Sequence, residues 1–579
     1  MIEVLATHVL SPLGQTTADN LRAVAEGRSA LRLHAGRWYL PEPFCASLLD
    51  DAADGIAGAG SAADADGVKD GDALTRFERL AAASVRAALA EAKAKGTPVD
   101  AGSERTLFVL SSTKGNVGHL DADLRVPLPE AAAAVARAVG IRTEPLVVSN
   151  ACISGVAALV AAVRALRSGR WDTAVVVGAD VLSEFIVSGF QSFKALSPEP
   201  CRPFDRDRTG LNLGEAAAAV ILRRVPAEAV QDGAWYLVDG AVRNDANHIS
   251  GPSRTGEGSY RALTAALGGV GPSRLAFVNA HGTATPYNDE MESIALTRAG
   301  LAAVPVCGLK GYFGHTLGAA GLLETVLSMA AVDGGFVPAT RGHQTLGVSR
   351  PIDVSAAARP TARRAFVKLI SGFGGCNAAL LCVRGDEARR LPQPAVSAAF
   401  RLDECAAVRL APTGRTELTA LYRRHVGDYP KFFKMDALCR LGLVAAAMLV
   451  PCPLDDDGVA LILFSRHGSL AADRRYQATL RPGDYFPSPA LFVYTLPNIV
   501  TGEICIRHGW RGESSMYLTD RCDWARILEA ARQAAASDPA VRHVVCGWVD
   551  APSDEGGTAD LRLYAVRREE GRQDPQTAS

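Results

Sequence analysis

One cysteine, Cys152, stands where an apolar strand passes into an apolar helix, a position that favours a nucleophilic thiol. The strand-like run is PLVV at 145–148, the helical run begins at Val156, and the small residues SNACISG at 149–155 join them. A helix N-terminus offers unpaired N–H groups and the positive end of the helix dipole, so we expect the pKa of Cys152 to be lowered. Its own N–H would also donate to an oxyanion on a bound carbonyl. The alternative is a small core residue, which is the usual role of a cysteine between small side chains.

Three downstream segments repeat the order of strand, small-residue turn and polar group. They are NAHGTAT at 279–285 with His281, KGYFGHTLGAAG at 310–321 with Lys310 and His315, and GFGGCN at 372–377. The third segment lacks a following Lys-Ser/Thr pair, so it is not a phosphate-binding loop. A lone histidine is more often structural than catalytic. The two histidines lie 34 positions apart on different loops, which we interpret as evidence against a shared metal site.

Together, the four motifs resemble those of the β-ketoacyl-acyl carrier protein synthases of the thiolase superfamily. They occur in the family's order and at similar intervals, and the resemblance covers about residues 1–385. The resemblance implies an α/β protein with the thiolase-like, duplicated and layered α-β-α-β-α fold. Its halves would span 1–225 and 226–385. Strands that alternate with helices along the chain independently favour a layered α/β architecture with parallel strand pairing.

The resemblance also implies the chemistry of each motif. Cys152 would take an acyl group from a phosphopantetheine thioester, and the N–H groups of Cys152 and Phe373 would bind the oxyanion. Malonyl thioester would then lose its carboxylate, and His281 and His315 would donate hydrogen bonds to the enolate oxygen. His315 is typical of the elongating, decarboxylating type, because another class of synthases has asparagine there.

Supporting roles are implied for further residues of the same motifs. Lys310 would organise the site through a charge pair with Glu324. Phe373 would be the gate beside the acyl chain, with Gly374 in the same loop, and Thr283 and Thr285 would bind the pantetheine arm. We interpret Cys376 as structural, because it follows the glycine run rather than occupying the place of the second cysteine of degradative thiolases.

The region at about 398–570 resembles the N-terminal half of a second synthase. Its motif order is similar to that of the chain-length-factor-type proteins of aryl polyene and flexirubin pathways. The position equivalent to Cys152 falls at Arg521 and Cys522, in a segment without the small-residue turn. We therefore predict an inactive half-domain, with Cys522 as a remote candidate for a nucleophile. An unrelated α/β appendage is the alternative.

The extra half is predicted to pack across residues 1–225 as an intramolecular pseudo-dimer and to line one wall of the acyl tunnel, although a homodimer remains open. Phe492, Tyr494 and Leu496 are the candidates for this contact, and packing within their own half is the alternative. We also predict a surface loop at 50–72, a linker at 386–397, a disordered tail at 571–579, and a helix N-cap at Asp289.

Composition excludes several other classes of protein. The chain has 579 residues, a net charge of -1 and 12 cysteines, none in a C-x-x-C pair, so neither nucleic-acid binding nor a zinc framework is indicated. No signal peptide is predicted, and the longest apolar run, 441–450, is too short to cross a bilayer. We therefore expect a cytoplasmic protein that needs neither a metal nor another cofactor.

The sequence thus predicts a discrete acyltransferase, a β-ketoacyl synthase for polyene, polyketide or fatty acid biosynthesis. No carrier or reductase motif is present, so its acyl groups would arrive on the phosphopantetheine of a separate acyl carrier protein. Two alternatives stay open. One is a non-catalytic chain-length or scaffold subunit, which the intact Cys152, His281 and His315 disfavour. The other is a non-decarboxylating thiolase or acyltransferase, which Lys310 with two histidines disfavours.

Overall fold

A computed structural model describes residues 1–50, 73–391, 399–412, 414–455, 457–481 and 484–568. The predicted surface loop at 50–72, except for its first residue, lies outside this described part. So do residues 392–397 of the predicted linker and the whole of the predicted tail at 571–579. The described start of that linker is a short helix, Gly385–Ala388, with Glu387 and Leu391 buried, so a linker beginning at 386 is wrong.

The strands of the first 391 residues are β1 (Ile2–Leu10), β2 (Arg32–His34), β3 (Phe44–Ser47), β4 (Thr106–Ser111), β5 (Leu146–Val148), β6 (Thr173–Asp180), β7 (Leu213–Gly214), β8 (Ala216–Arg224), β9 (Trp235–Asn244), β10 (Leu275–Asn279), β11 (Val306–Cys307), β12 (Phe336–Val337), β13 (Arg359–Pro360), β14 (Ala365–Gly372) and β15 (Cys376–Arg384). The later strands are β16 (Phe400–Leu410), β17 (Val459–Ser465), β18 (Leu480–Arg481), β19 (Asp484–Tyr485), β20 (Ser514–Leu518), β21 (His543–Ser553) and β22 (Gly556–Arg568).

The helices are α1 (Thr17–Ala25), α2 (Arg76–Ala94), α3 (Leu128–Ala138), α4 (Ser154–Arg167), α5 (Glu184–Ser192), α6 (Glu257–Leu267), α7 (Pro286–Arg298), α8 (Lys310–Phe313), α9 (Ala320–Asp333), α10 (Gly385–Ala388), α11 (Arg415–His425), α12 (Ala437–Leu449), α13 (Leu470–Gln477), α14 (Pro489–Phe492), α15 (Ile499–His508) and α16 (Trp524–Ser537). Short 3-10 turns at Ala151–Ile153 and Leu317–Ala319 lead into α4 and α9.

Three five-strand units with one topology build the large sheet. Their spatial orders are β1-β8-β6-β4-β5, β9-β15-β14-β10-β11 and β16-β22-β21-β17-β20. If the strands of each unit are numbered one to five along the chain, their spatial order in all three units is first, fifth, fourth, second, third. In each unit the first two pairings are antiparallel and the last two parallel. The third region therefore repeats the half-fold of the other two.

The first two units form the predicted layers. Helix α2 packs on β1 and β8, and α6 packs on β9 and β15. Between the units lie α4, which contacts both β6 and β9, and α9, which contacts both β8 and β14. Every residue of α4 except its last is buried, as expected of a helix that is apolar on all sides. The thiolase-like layered fold predicted from the sequence is confirmed.

The two central helices meet at their N-termini through glycines. A β-carbon on Gly155 would lie 2.9 Å from the carbonyl oxygen of Gly318, and one on Gly321 would lie 2.5 Å from the backbone nitrogen of Val156. Only glycine permits backbones to approach this closely. The turn before α4 carries Cys152, and the turn before α9 follows His315. The close approach of the two helices brings these turns side by side.

The third unit joins the first edge to edge. Strand β20 pairs antiparallel with β5, with Tyr517 opposite Val148 and Leu518 opposite Val147. Two buried ion pairs cross the same junction. The Arg164 guanidinium donates to the Glu513 carboxylate at 2.7 and 2.8 Å. The Lys114 ammonium donates to the Asp473 carboxylate at 2.8 Å. The third unit thus occupies the edge of the cysteine-bearing unit.

Within the described ranges, no single helix is both long and apolar enough to cross a membrane. One pair, Pro489–Thr495 and Ile499–His508, passes the length and composition test together but is bent by 100°.

Candidate active site

Cys152 lies in the 3-10 turn before α4, at the meeting point of the central helices. The preceding residue, Ala151, has a φ of 47°, in the left-handed region. The Cys152 sulfur and one ring nitrogen each of His281 and His315 lie within 4.8 Å of one another. The fold therefore gathers three reactive side chains that are far apart in the sequence.

The ionisation of Cys152 differs from the sequence-based expectation. Burial raises the pKa of the thiol to about 11, and the Lys310 charge and hydrogen bonds from the backbone N–H groups of Cys152 and Phe373 oppose this only in part. The prediction of a lowered pKa is wrong, because it counted the helix terminus and not the loss of water around a buried sulfur. The two N–H groups do converge on the reacting atom.

His281 and His315 face each other beside the sulfur. Their ring centroids are 5.1 Å apart and the rings are nearly perpendicular, at 82°. Burial, followed by the charge of Lys310, lowers the pKa of both rings well below the usual value. Both imidazoles are therefore neutral at pH 7, and each offers one N–H donor and one acceptor nitrogen. Within the described residues, Nδ1 of His281 and both ring nitrogens of His315 have no hydrogen-bond partner.

A buried charge cluster lies behind the histidines. The Lys310 ammonium donates to the His281 carbonyl at 2.6 Å and to Glu324 Oε1 at 2.8 Å. Lys368 Nζ lies 2.5 Å from Glu324 Oε2 and donates to Asn279 Oδ1 at 2.8 Å. Burial alone would raise the pKa of Glu324, yet the two lysines hold it below its usual range.

Sequence reasoning placed Lys310 with Glu324 but missed Lys368. The available signal was a lysine inside the apolar run AFVKLI, since a buried ammonium needs a partner. Two ammonium groups share one carboxylate here, so the cluster carries an excess positive charge that favours a negative charge developing in the site.

Two acidic residues of α7 hold the turn that carries His281. Glu292 accepts from the backbone N–H groups of His281 at 2.6 Å and Gly282 at 2.7 Å. Asp289 accepts from the N–H of Ala284 at 3.2 Å and from that of Phe204 at 2.6 Å. Helix α7 begins at Pro286, so the prediction of an N-cap at Asp289 is wrong. Pro286 fits the first helical turn, and this starts the helix one turn earlier.

Asp180, also missed from the sequence, ties the segment that follows β4 to the turn that follows His315. Its buried carboxylate accepts from Ser112 Oγ and from the Gly318 N–H, both at 2.6 Å, and from Thr113 Oγ1 at 3.0 Å. The signal was an acid at the end of the apolar strand TAVVVGAD. The third unit has a similar hydrogen bond between a serine and a buried aspartate, in which Ser465 Oγ donates to Asp550 at 2.7 Å.

The glycine loop, Gly372–Gly375, closes the site from the other side. Gly374 and Gly375 have φ angles of 90° and 69°, which only glycine adopts readily. The Phe373 ring packs near Phe190 and Phe193, with centroids 6.2 and 5.6 Å away. Cys376 is buried, and its Sγ donates to the Phe373 carbonyl at 3.1 Å, an arrangement that fits the structural interpretation.

Cys152 lies between two cavities. A cleft of about 590 Å³ is lined by Cys152, both histidines, Thr283, Thr285 and Phe373. The hydroxyl oxygens of Thr283 and Thr285 are 2.9 Å apart. On the other side is a narrow apolar pocket of about 20 Å³, lined by residues that include Phe190, Phe492 and Leu496.

The third unit supplies part of the narrow pocket. Phe492 packs among Phe185 and Phe190, with centroids 6.2 and 5.6 Å away. A β-carbon on Gly189 of α5 would overlap its ring. Leu496 lines the same pocket, whereas the hydroxyl of Tyr494 donates to Glu503 at 3.0 Å within its own unit.

The third unit has a different turn where the first unit carries its cysteine. Cys522 is exposed there, and Asp523 caps α16 by accepting from the Ala525 N–H at 2.9 Å.

A metal ion must be considered, because Cys152, His281 and His315 have donor atoms of the kind zinc prefers, within 4.8 Å. The separation of 34 positions in the sequence is therefore no argument against a shared site. Electrostatics argues against one, since the buried ammonium groups of Lys310 and Lys368 stand directly behind the histidines and would repel a divalent cation.

Comparisons with known proteins place this site in a family context. The β-ketoacyl synthase N-terminal domain matches residues 1–227, and the β-ketoacyl synthase C-terminal domain matches residues 236–344. The chain is 32% identical over 298 residues to the putative polyketide β-ketoacyl synthase 1 of Streptomyces cyaneus, which covers 47% of this chain and 70% of that protein.

The granaticin polyketide putative β-ketoacyl synthase 1 of Streptomyces violaceoruber is 34% identical over 271 residues, or 44% of this chain and 64% of that protein. The chain thus spans slightly less than two thirds of that relative. Among solved structures, the PfaC keto synthase–chain length factor aligns with 97% of this chain and 78% of its own, at a TM-score of 0.73 and 16% identity. At that identity the likeness concerns the fold alone.

Proposed function

The chain belongs to the β-ketoacyl synthase family, and from that premise we propose that it condenses a malonyl thioester with an acyl group held on Cys152. The observation that carries the proposal is the convergence of the Cys152 sulfur and two neutral imidazoles within 4.8 Å. The backbone N–H groups of Cys152 and Phe373 point to the same atom.

The first half-reaction is acyl transfer. A thiol with a pKa of about 11 is protonated at pH 7, so it needs a base, and a neutral imidazole beside it is the available acceptor. The sulfur attacks the thioester carbonyl, and the N–H groups of Cys152 and Phe373 bind the oxyanion. The carbon–sulfur bond to pantetheine breaks, and the proton leaves with the pantetheine thiol.

The second half-reaction is decarboxylative condensation. The malonyl carbon–carboxylate bond breaks, carbon dioxide leaves, and the electron pair forms an enolate. His281 and His315 donate hydrogen bonds to the enolate oxygen, and the excess positive charge of Lys310 and Lys368 stabilises it. The enolate carbon attacks the acyl carbonyl, and the bond to Cys152 breaks with its electron pair on the sulfur. The sulfur regains a proton from solvent, and the released chain is two carbons longer.

We propose that an acyl carrier protein delivers both substrates and that Thr283 and Thr285 bind the pantetheine arm. Their place in the open cleft beside Cys152 supports this. The third unit is proposed to be an inactive, chain-length-factor-like half that forms a pseudo-dimer within the chain. Support comes from the β5–β20 pairing and from Phe492 and Leu496 in the narrow pocket. Products in polyene, polyketide or fatty acid biosynthesis and a place in the cytoplasm remain predictions.

The test is incubation with malonyl- and acyl-carrier proteins, read by intact protein mass and product mass. We expect one acyl group on Cys152 and a product longer by two carbons. Cys152→Ala should abolish both while the fold survives, because it removes only a thiol. Acylation at Cys522 or Cys376 would overturn the assignment. Carbon–carbon bond formation without loss of carbon dioxide would favour the thiolase alternative, and no acylation at all would favour a scaffold.

A further inference from the structure

The third unit touches both backbone segments that carry the proposed oxyanion donors. The first is the cysteine turn, Ser149–Cys152. Here the Met516 N–H of β20 donates to Asn150 Oδ1 at 2.9 Å, and the Ser149 N–H donates to the Met516 carbonyl at 3.3 Å. The second is the glycine loop, Gly372–Gly375, which lies against the start of α15.

Asn498 makes the contact with the glycine loop. Its side-chain Nδ2 donates to the Phe373 carbonyl at 2.8 Å and is 3.6 Å from Cys376 Sγ. Asn498 is also the N-cap residue of α15, yet it makes no side-chain cap hydrogen bond. Asparagine is one of the most favourable N-cap residues. This side chain does not stabilise its own helix, because its amide donates to the glycine loop instead.

One turn further, Gly502 sets the distance between α15 and the loop. A β-carbon on Gly502 would lie 2.6 Å from the Gly374 carbonyl oxygen and 2.9 Å from the Gly374 α-carbon. Asn498 and Gly502 are four residues apart and face the same side of the helix. The helix therefore lies with its backbone directly against the loop, with the Asn498 amide at one end of the contact.

The glycine loop needs such an external restraint. Three of its four residues are glycines, which have the greatest backbone freedom, and Phe373 is the single residue among them with a side chain. Fixing the Phe373 carbonyl restricts its ψ angle, and Asn244 Nδ2 holds the next carbonyl, that of Gly374, at 2.9 Å. With both carbonyls held, the Phe373 N–H stays directed at the Cys152 sulfur.

We propose that Asn498 is a positioning residue for the oxyanion hole, supplied by the third unit to the active site of the first two. The inference rests on the proposed function for its kinetic consequence, although its structural part does not depend on it. The inactive unit then has a direct part in the chemistry beyond shaping the acyl pocket.

The test uses two variants of the full chain. Asn498→Asp keeps the shape but replaces the amide donor with a carboxylate oxygen, and Asn498→Ser is uncharged, shorter and free of steric conflict. We expect acyl transfer to Cys152 to slow by about 10- to 100-fold, because a misplaced donor loses most of its effect. The KM for acyl carrier protein should not change, since Asn498 does not line the cleft. Carbon dioxide release from malonyl-carrier protein alone should not change either.

A readout independent of any enzymatic activity is iodoacetamide labelling of Cys152 against pH, followed by peptide mass. The Phe373 N–H favours the thiolate, so misplacing it shifts the labelling profile to higher pH in both variants. Arg526→Gln is the matched control. Its guanidinium crosses the same junction to the carbonyls of Glu144 at 2.6 Å and Pro145 at 3.1 Å without touching the glycine loop.

Unchanged labelling and acyl transfer in both Asn498 variants would overturn the inference. So would equal losses in Arg526→Gln, which would mean that the junction matters only for stability. If the wild-type chain neither acylates nor condenses, the proposed function fails, and the labelling profiles alone decide whether Asn498 positions Phe373.

Discussion

At the residue scale, the site works through neutral imidazoles beside two buried ammonium groups. Burial keeps His281 and His315 uncharged, whereas Lys310 and Lys368 both lie against the Glu324 carboxylate. Such a site holds its positive charge in place before the reaction begins, so that little reorganisation is needed when an enolate forms.

The histidines should divide the two half-reactions. His281→Ala and His315→Ala are each expected to suppress malonyl decarboxylation by about 10²- to 10³-fold, the usual effect of removing one oxyanion donor. Acylation of Cys152 should fall much less in each single variant, because the enolate exists only in the second step and the remaining imidazole still accepts the thiol proton. Single-turnover acylation and carbon dioxide release measure the two steps separately, and equal losses in both would contradict this division.

The raised pKa of Cys152 predicts a pH profile. Because the thiol has a pKa of about 11 and only the thiolate is alkylated, the iodoacetamide labelling rate should rise about tenfold per pH unit from pH 7 to pH 10. A thiol of lowered pKa would instead reach a plateau below pH 8. Exposed Cys405 in the same chain is the internal control for the reagent, and a plateau for Cys152 would contradict the burial argument.

At the element scale, the position of the site follows from helix N-termini and strand ends. The motifs at Cys152, His281, His315 and Phe373 all follow strands or short helices whose ends meet where α4 and α9 touch. The charge cluster bridges these elements, since Lys310 begins α8, Glu324 lies on α9 and Lys368 lies on β14. Its loss should therefore loosen several elements together.

Glu324→Gln should destabilise the fold strongly. The change leaves two buried ammonium groups without their shared carboxylate, and breaking a buried pair in this way typically costs about 3–5 kcal/mol. Urea unfolding measures the loss. Glu529→Gln is a control, because the partly covered Glu529 pairs with the exposed Arg170 and its loss should cost about 1 kcal/mol or less. Equal stability of the two variants would contradict the proposed importance of the cluster.

Much of this arrangement was accessible from the sequence, and the failures have physical causes. Strand–turn–helix motifs around Cys152 and His315 are local patterns, and so is the repeated half-fold after residue 399. The pKa of Cys152 depends on burial by distant segments, and the partners of Lys368 come from β10 and α9. The strand at the junction is β20, which pairs with β5. The two strands are hundreds of residues apart in the chain, and local patterns do not encode such a pairing.

At the scale of the whole molecule, the third unit completes the first. It covers the β5 edge through β20 and places Phe492 and Leu496 in the narrow pocket. A chain that ends at residue 391 should therefore expose an unpaired strand and a large apolar face. We expect it to aggregate, measured by light scattering. Co-expression of residues 399–579 as a separate chain should restore solubility, and a soluble truncated chain with unchanged products would contradict this role.

The β5–β20 pairing has a consequence for synthesis on the ribosome. Val148 and its partner Tyr517 are separated by 369 residues. At a translation rate of about 5–20 residues per second, the β5 edge waits roughly 20–75 s for its partner. During that interval, the free edges of two nascent chains on one messenger RNA can pair with each other. Chaperones that shield strand edges should therefore raise the yield of this protein.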